Sequence, residues 1–249
     1  MKKTLSLLAV FAVAGMISAP AQAADHYISG MAGISWMNNS EISVPGNLED
    51  VVGAEIDLGY GSGLTLAGAI GCDYGSTRLE AEIGYQSADI KDITLSWGRI
   101  IAGPAEIPAG SVAAALEGDS SVLSLMANGF YDFDLGGVEL YVMAGVGVAQ
   151  VDMNITDVAG MKADVVDLVD DILAEQQWTT NLDINALSAD VSETTLAYQI
   201  GAGLAIPVSD GIMIDARYRY FATTDFTVLG AFDTNVSSHS ALLGLRVNL

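Results

Sequence analysis

The last ten residues read Ser240-Ala241-Leu242-Leu243-Gly244-Leu245-Arg246-Val247-Asn248-Leu249. Ala241, Leu243, Leu245, Val247 and Leu249 share one parity. Ser240, Gly244, Arg246 and Asn248 share the other, with Leu242 as its apolar exception. Successive side chains of a strand point to opposite faces, so this segment is a strand with one oily face and one polar or small face. The oily face needs either a protein core or lipid against it, and that choice decides the fold class.

The pattern recurs upstream. Over 77–87, Leu79, Ala81, Ile83 and Tyr85 alternate with Arg78, Glu80, Glu82, Gly84 and Gln86. Over 121–133, Leu123, Leu125, Ala127 and Tyr131 alternate with Ser124, Asn128 and Asp132. Over 138–152, Leu140, Val142, Ala144, Val146 and Val148 alternate with Glu139, Tyr141, Met143, Gly145 and Gly147. Over 194–208, Leu196, Tyr198, Ile200, Ala202, Leu204 and Ile206 alternate with Gln199, Gly201, Gly203 and Ala205. Over 212–224, Ile214, Ala216, Tyr218 and Tyr220 alternate with Asp215, Arg217 and Arg219. With 27–38, 63–73 and 238–249, these make eight predicted strands. The turns Tyr74-Gly75-Ser76, Asp134-Leu135-Gly136-Gly137 and Ser209-Asp210-Gly211 hold the Asp, Ser and Gly that tight hairpins require.

The other connections are long: 39–62, 88–120, 153–193 and 225–237. Alternating long and short connections are the mark of an antiparallel transmembrane up-and-down barrel, with short periplasmic turns and long extracellular loops. Eight strands leave both termini on the periplasmic side. In the third loop Val165, Leu168, Val169, Ile172 and Leu173 fall at helical spacing, predicting a short helix. Asp164, Asp167, Asp170, Asp171 and Glu175 take much of its other face. They read as a helix packed on the rim and, secondarily, as a partner-binding surface.

The amino terminus supports export. Met1-Lys2-Lys3, an apolar stretch over 5–17 and Ala21-Gln22-Ala23 read as a secretory leader over 1–23, leaving 24–249 as one barrel domain. Ala24 follows the cleavage site, so no lipid anchor on cysteine is expected. The chain is 51% hydrophobic with mean hydropathy +0.41, yet no run after Ala23 reaches the about 20 apolar residues of a spanning helix. Without Lys2 and Lys3 the chain holds seven basic and 31 acidic residues, net −24. That charge argues against nucleic acid and against unaided attraction to anionic headgroups. The lone Cys72 has no internal disulfide partner.

The polar parity concentrates scarce cations. Arg78, Arg217, Arg219 and Arg246 face Glu80, Glu82, Asp132, Glu139 and Asp215, near balance in a very acidic chain. Enclosed charge needs a partner, and the guanidinium fork matches carboxylates. The interior of eight strands is about filled by side chains. The set therefore reads as a lumen ion-pair network that plugs the barrel, or alternatively as the polar lining of a narrow path. Tyr27, Tyr74, Tyr131 and Phe133 at the turn side, with Trp36, Tyr220 and Phe221 at the loop side, are expected to form aromatic girdles.

These strands carry a resemblance. The stretches 68–75 (GAIGCDYG), 78–85 (RLEAEIGY), 141–149 (YVMAGVGVA), 198–203 (YQIGAG), 215–221 (DARYRYF) and 243–246 (LGLR) resemble small outer-membrane β-barrel proteins of the opacity-protein and OmpA-like membrane-domain type, which are porin-family-like. The likeness covers the strands and not the loops. It implies insertion by the outer-membrane assembly machinery, whose usual signal is a terminal aromatic residue. Leu249 stands there instead. No wall-binding domain follows the last strand, so an anchoring role is not expected.

Catalytic motifs are sparse. His26 and His239 lack metal spacing and a cysteine set, and no nucleophile elbow or phosphate loop occurs. No enzyme activity, metal or cofactor is expected. His239, beside Ser237, Ser238 and Ser240, is the residue a lipid-modifying barrel enzyme would use; it reads as a rim histidine. Glu41, Glu49, Asp50 and the third-loop acids are oxygen ligands of the kind that bridge divalent cations to lipopolysaccharide phosphates. Without EF-hand spacing they read as a solvated anionic surface. The expected function is an outer-membrane surface protein of structural, antigen or adhesion type. The alternatives are a narrow cation-favouring pore and a lipid-modifying enzyme. Expected partners are outer-membrane lipid and lipopolysaccharide, the assembly machinery and an extracellular ligand of the loops, and not nucleic acid.

Overall fold

The computed structural model describes residues 25–42, 55–98, 100–102, 105–107, 109–157, 189–228 and 232–249. Its strands are β1 (Asp25–Met37), β2 (Ser40–Ile42), β3 (Glu55–Tyr60), β4 (Ser62–Asp73), β5 (Thr77–Trp97), β6 (Ile100–Ala102), β7 (Ala105–Ile107), β8 (Gly110–Asp134), β9 (Glu139–Asp157), β10 (Ala189–Ser209), β11 (Ile212–Thr223), β12 (Phe226–Val228), β13 (Phe232–Thr234) and β14 (Ser237–Asn248). Eight of them form a closed antiparallel ring, β5-β4-β1-β14-β11-β10-β9-β8 and back to β5. Closure leaves the ring of eight without an edge strand, which lipid would not tolerate.

The register staggers as a barrel requires. From Trp36 the partners run His239, Tyr220, Ile200, Ala144, Gly129, Leu79, Cys72 and back to β1 at His26, ten residues lower. That shear tilts the strands and sets the diameter. The three short turns pivot on glycines with positive φ: Gly75 (95°), Gly136 (77°), Gly137 (123°) and Gly211 (73°). The Asp73 and Asp134 carboxylates accept the amides of Gly75 and Gly136.

The outward face is oily through one band. Ile34, Ile70, Ile83, Val146, Ile200 and Leu243 are all more than half exposed. Such an array has no place in water and suits the apolar band of a membrane barrel. The inward parity is buried, and Leu242 lies on it, 4% exposed.

Two expectations change. The first two long connections are not loops throughout: β5 and β8 stay paired from Ser87↔Ser121 up to Trp97↔Gly110, with a bulge between Ile90 and Asp92. β2 and β3 continue β1 and β4 upward, and β12 pairs with β13 in the fourth connection. Tyr27 and Phe221 are not girdle residues. They are 1% and 0% exposed, on the inward parity of β1 and β11. The predicted helix and Asp164, Asp167, Asp170, Asp171 and Glu175 lie outside the described residues, as do Glu49 and Asp50.

Candidate functional site

The lumen is layered. Its lower part holds all nine charged residues that the alternation points inward. Arg78 forks onto Asp132, Nε donating to Oδ2 (2.7 Å) and Nη2 to Oδ1 (2.8 Å). Arg246 donates to Glu139 Oε1 at 2.6 Å, and Arg78 Nη2 lies 3.6 Å from the same oxygen. Glu139 is the most open of the set, its side chain 22% exposed at the strand end. Bidentate and charge-assisted geometry of this kind is the strong form of the hydrogen bond.

Glu82 is the hub one layer up. Its Oε2 accepts from Arg217 Nη1 (3.0 Å) and Asn128 (3.1 Å), and its Oε1 from Arg219 Nη1 (2.8 Å) and Gln199 (3.4 Å). Glu80 accepts from the Tyr27 hydroxyl at 3.0 Å and lies 3.8 Å from Arg217. Asp215 accepts from the Tyr141 hydroxyl, which itself accepts from Arg217 Nε at 3.2 Å. Arg219 reaches across to Thr65 on β4 at 3.1 Å.

Aromatic rings line the arginines. The Phe130 ring has the Arg78 guanidinium at 4.4 Å and that of Arg217 at 5.1 Å, within the range of cation–π attraction. Two glycines make room for two tyrosines. A Cβ at Gly71 would overlap the Tyr27 ring, and one at Gly203 the Tyr141 ring. Tyr27, Thr65, Asn128, Phe130, Tyr141 and Gln199 thus complete a network that the charged residues alone do not define. Inward parity is the signal that finds them.

Above the ions the lumen turns mainly apolar, with Ser238 donating to Gln86 at 2.7 Å among the apolar side chains. Met37, Val122, Met126, Val151 and Phe221 pack together, joined by Phe226 of β12 and by Val236 just before β14. Outside, at the band's upper limit, His239 lies on the lipid-facing parity. Its Nδ1 is 2.7 Å from the Tyr218 hydroxyl and its ring packs against Tyr218 and Tyr220. Higher still, Asp89 and Asp119 are direct cross-strand partners on the outward face, both exposed. Among the described residues no group of three or more metal-ligating side chains is present.

The model of the outer membrane protein β-barrel domain family matches residues 9–248. The chain belongs to this family. It is an outer-membrane protein, and its oily band stands in that membrane's lipid. Solved structures with a similar fold include Neisserial surface protein A (16% identity, 90% of this chain and 97% of that one, TM-score 0.46). Ail of Yersinia pestis, in complex with the heparin analogue sucrose octasulfate, is similar at 12% identity over 89% of this chain and 99% of its own (TM-score 0.39). The N-terminal β-barrel domain of Pseudomonas aeruginosa OprF is similar at 13% over 91% and 99% (TM-score 0.34). No curated protein matches the sequence.

Proposed function

We propose that this family member is a sealed barrel whose working part is its extracellular face, a surface protein of adhesion or antigen type. The lumen network is a structural plug that fixes strand register. One observation carries the reading: interlocked ion pairs fill the lower lumen, and an apolar layer of Met37, Val122, Met126, Val151 and Phe221 lies across it above. A cation-favouring pore needs a continuous polar path, and dewetting at an apolar constriction opposes one. Planar-bilayer recording of the refolded protein tests this. Electrical silence is expected, and reproducible small channels overturn the plug.

The partner of the external face is expected to be cationic or neutral, because the mature chain carries net −24. Binding to a basic matrix peptide should weaken steeply with salt, whereas preferential capture of a polyanion refutes the charge reading. The third-loop acids Asp164, Asp167, Asp170, Asp171 and Glu175 are part of this proposed surface.

The same reading makes the protein a non-enzyme. His239 engages Tyr218 on the lipid side, which suits an interfacial aromatic anchor. His239→Ala is expected to leave the cell's lipid composition unaltered. Residues 1–23 are assigned as a leader cleaved before Ala24, and insertion is assigned to the outer-membrane assembly machinery. Amino-terminal sequencing of the membrane-extracted protein checks the first assignment.

A further inference from the structure

We infer that the outer wall of β5, β4, β1 and β14 seats one phosphorylated glycolipid of the outer leaflet, with Lys91 and His239 on its phosphates and Trp36 against its sugar. The site begins at an irregularity. Lys91 is the extra residue between Ile90 and Asp92, where the ladders of β5 to β8 and to β3 both shift. Ile90 and Ile93 on either side pack inward with Leu58, so the bulge turns Lys91 outward, as bulges re-aim side chains. The lysine then lies over Gly61, which joins β3 to β4. A Cβ there would meet Lys91 Cε at 2.7 Å and Nζ at 3.1 Å, so glycine is what lets the ammonium lean toward β1. Lys91 is exposed and has no ion pair among the described residues. Beside Gly61, Ser62 is the cross-strand partner of Trp36, and Trp36 is the partner of His239. Two strand spacings, about 10 Å, thus separate Gly61 from His239, with the exposed indole of Trp36 between. The Tyr218 hydroxyl donating to His239 Nδ1 holds the ring proton on Nε2, which leaves that N–H as a donor.

Charge places an anionic headgroup over this wall. Above Trp36 and His239 the rim is polar and uncharged, with Asn38 donating to Ser237 at 2.9 Å. The acids lie to the other side: Asp89 and Asp92 flank Lys91 on β5, and Asp119 and Asp152 continue along β8 and β9. Phosphate is repelled there and accepted over β4, β1 and β14. Beneath the row the same wall is hollow. Gly30 and Gly68 are direct partners. With Ala32 they floor a groove of about 700 Å³ walled by Leu66, Ile83 and Leu243, a volume in the range of ligand sites. Ala32 lies four residues below Trp36, about 13 Å along the strand, so acyl chains descending from a headgroup at Trp36 enter the groove. The occupant must bring acceptors for two separated donors, an apolar ring face for the indole and chains for the groove. An acylated sugar with more than one phosphate brings all three. A phospholipid with one phosphate reaches a single donor, and free phosphate leaves the indole and groove bare. The inference rests on the outer-membrane placement and stands whether or not the lumen conducts.

Native mass spectrometry of the full mature protein, released from phosphatidylcholine nanodiscs containing bisphosphorylated lipid A, tests the inference. One lipid A is expected to stay bound per barrel. Lys91→Ala and His239→Ala should each lower its affinity about tenfold, while both variants keep the cold-gel shift of a folded barrel. Unchanged retention in both variants overturns the site, and so does equal retention of lipid A stripped of its phosphates. Loss of retention on adding EDTA also overturns it, because metal ions on Asp89 and Asp119 would then be holding the headgroup. Ala32→Leu with Gly68→Leu fills the groove and should weaken binding with both phosphates still in place; undiminished binding removes the acyl chains from this wall. Should the His239 variant fail to fold, Lys91→Ala decides alone, since Lys91 is exposed on its bulge.

Discussion

Replacing Arg217 by Leu removes one guanidinium that serves three groups. Its Nη1 lies 3.0 Å from Glu82 and 3.8 Å from Glu80, and its Nε donates to Tyr141. Glu82 keeps Arg219 at 2.8 Å. Glu80 keeps only the Tyr27 hydroxyl, so it becomes the uncompensated charge. Two unit charges 3.8 Å apart attract by about 4 kcal/mol at an effective dielectric of about 20. That figure falls inside the about 3–5 kcal/mol typical of breaking one partner of a buried pair. With a urea slope of about 2 kcal/mol per molar, the midpoint should fall by about 2 M. The assay is a urea titration of the refolded barrel in detergent, read by cold gel mobility. The cause is isolated by Glu80→Gln. In the Arg217→Leu background it removes the stranded charge and should restore at least half the loss. In the unaltered barrel it removes attraction and desolvation together and should change little. An unmoved midpoint for Arg217→Leu, or no rescue by Glu80→Gln, refutes the assignment of Glu80 as the dependent carboxylate.

Depth in the membrane sets the cost on the outer face. Ile200→Arg, near the middle of the apolar band, should cost about 2–4 kcal/mol, and Val208→Arg at the periplasmic end about 0–1 kcal/mol, by the same titration in bilayers. Gly203→Val should force the Tyr141 ring off the wall and cost about 1–3 kcal/mol, with a changed near-ultraviolet dichroism signal. Phe221→Ala combined with Met126→Ala removes two of the large side chains of the apolar layer. Small single-channel conductance should then emerge in planar bilayers where the unaltered chain is expected to be silent.

The membrane-spanning part was readable because lipid tolerates few exceptions on one face. Leu79, Ile83 and Tyr85 against Arg78, Glu80 and Glu82 admit one orientation only. The lumen charges followed from the same parity. The tyrosine and phenylalanine errors came from weighing residue type over parity. Tyr27 sits at a strand end, where amphipathic rings belong to girdles, but it shares parity with Met31 and Ser35, while Ile28, Ile34 and Trp36 take the other. Phe221 likewise shares parity with Arg217 and Arg219 rather than Tyr218. The pairing partners of each arginine were not legible. They depend on shear and rotamer, which a single strand's pattern does not contain.

The upper strands were missed for a more instructive reason: the alternation persists there but its polarity inverts. On β5 the exposed outward residues are Ile83 and Tyr85 within the band, then Asp89, while Ala88 and Ile90 become the buried inward ones. On β9 Val146 faces out, but two turns of the pleat higher Val151 and Met153 face in and Asn154 faces out. Below the inversion lipid solvates the oily face, and the interior needs only paired charge to be filled. Above it the outer face meets water, so stability must come from an apolar interior, as in any water-soluble sheet. The apolar layer above the ions is thus the core of a short water-facing barrel standing on the membrane one. Its position is forced by where the lipid ends. The proposed plug follows from the same requirement that holds the extracellular face upright.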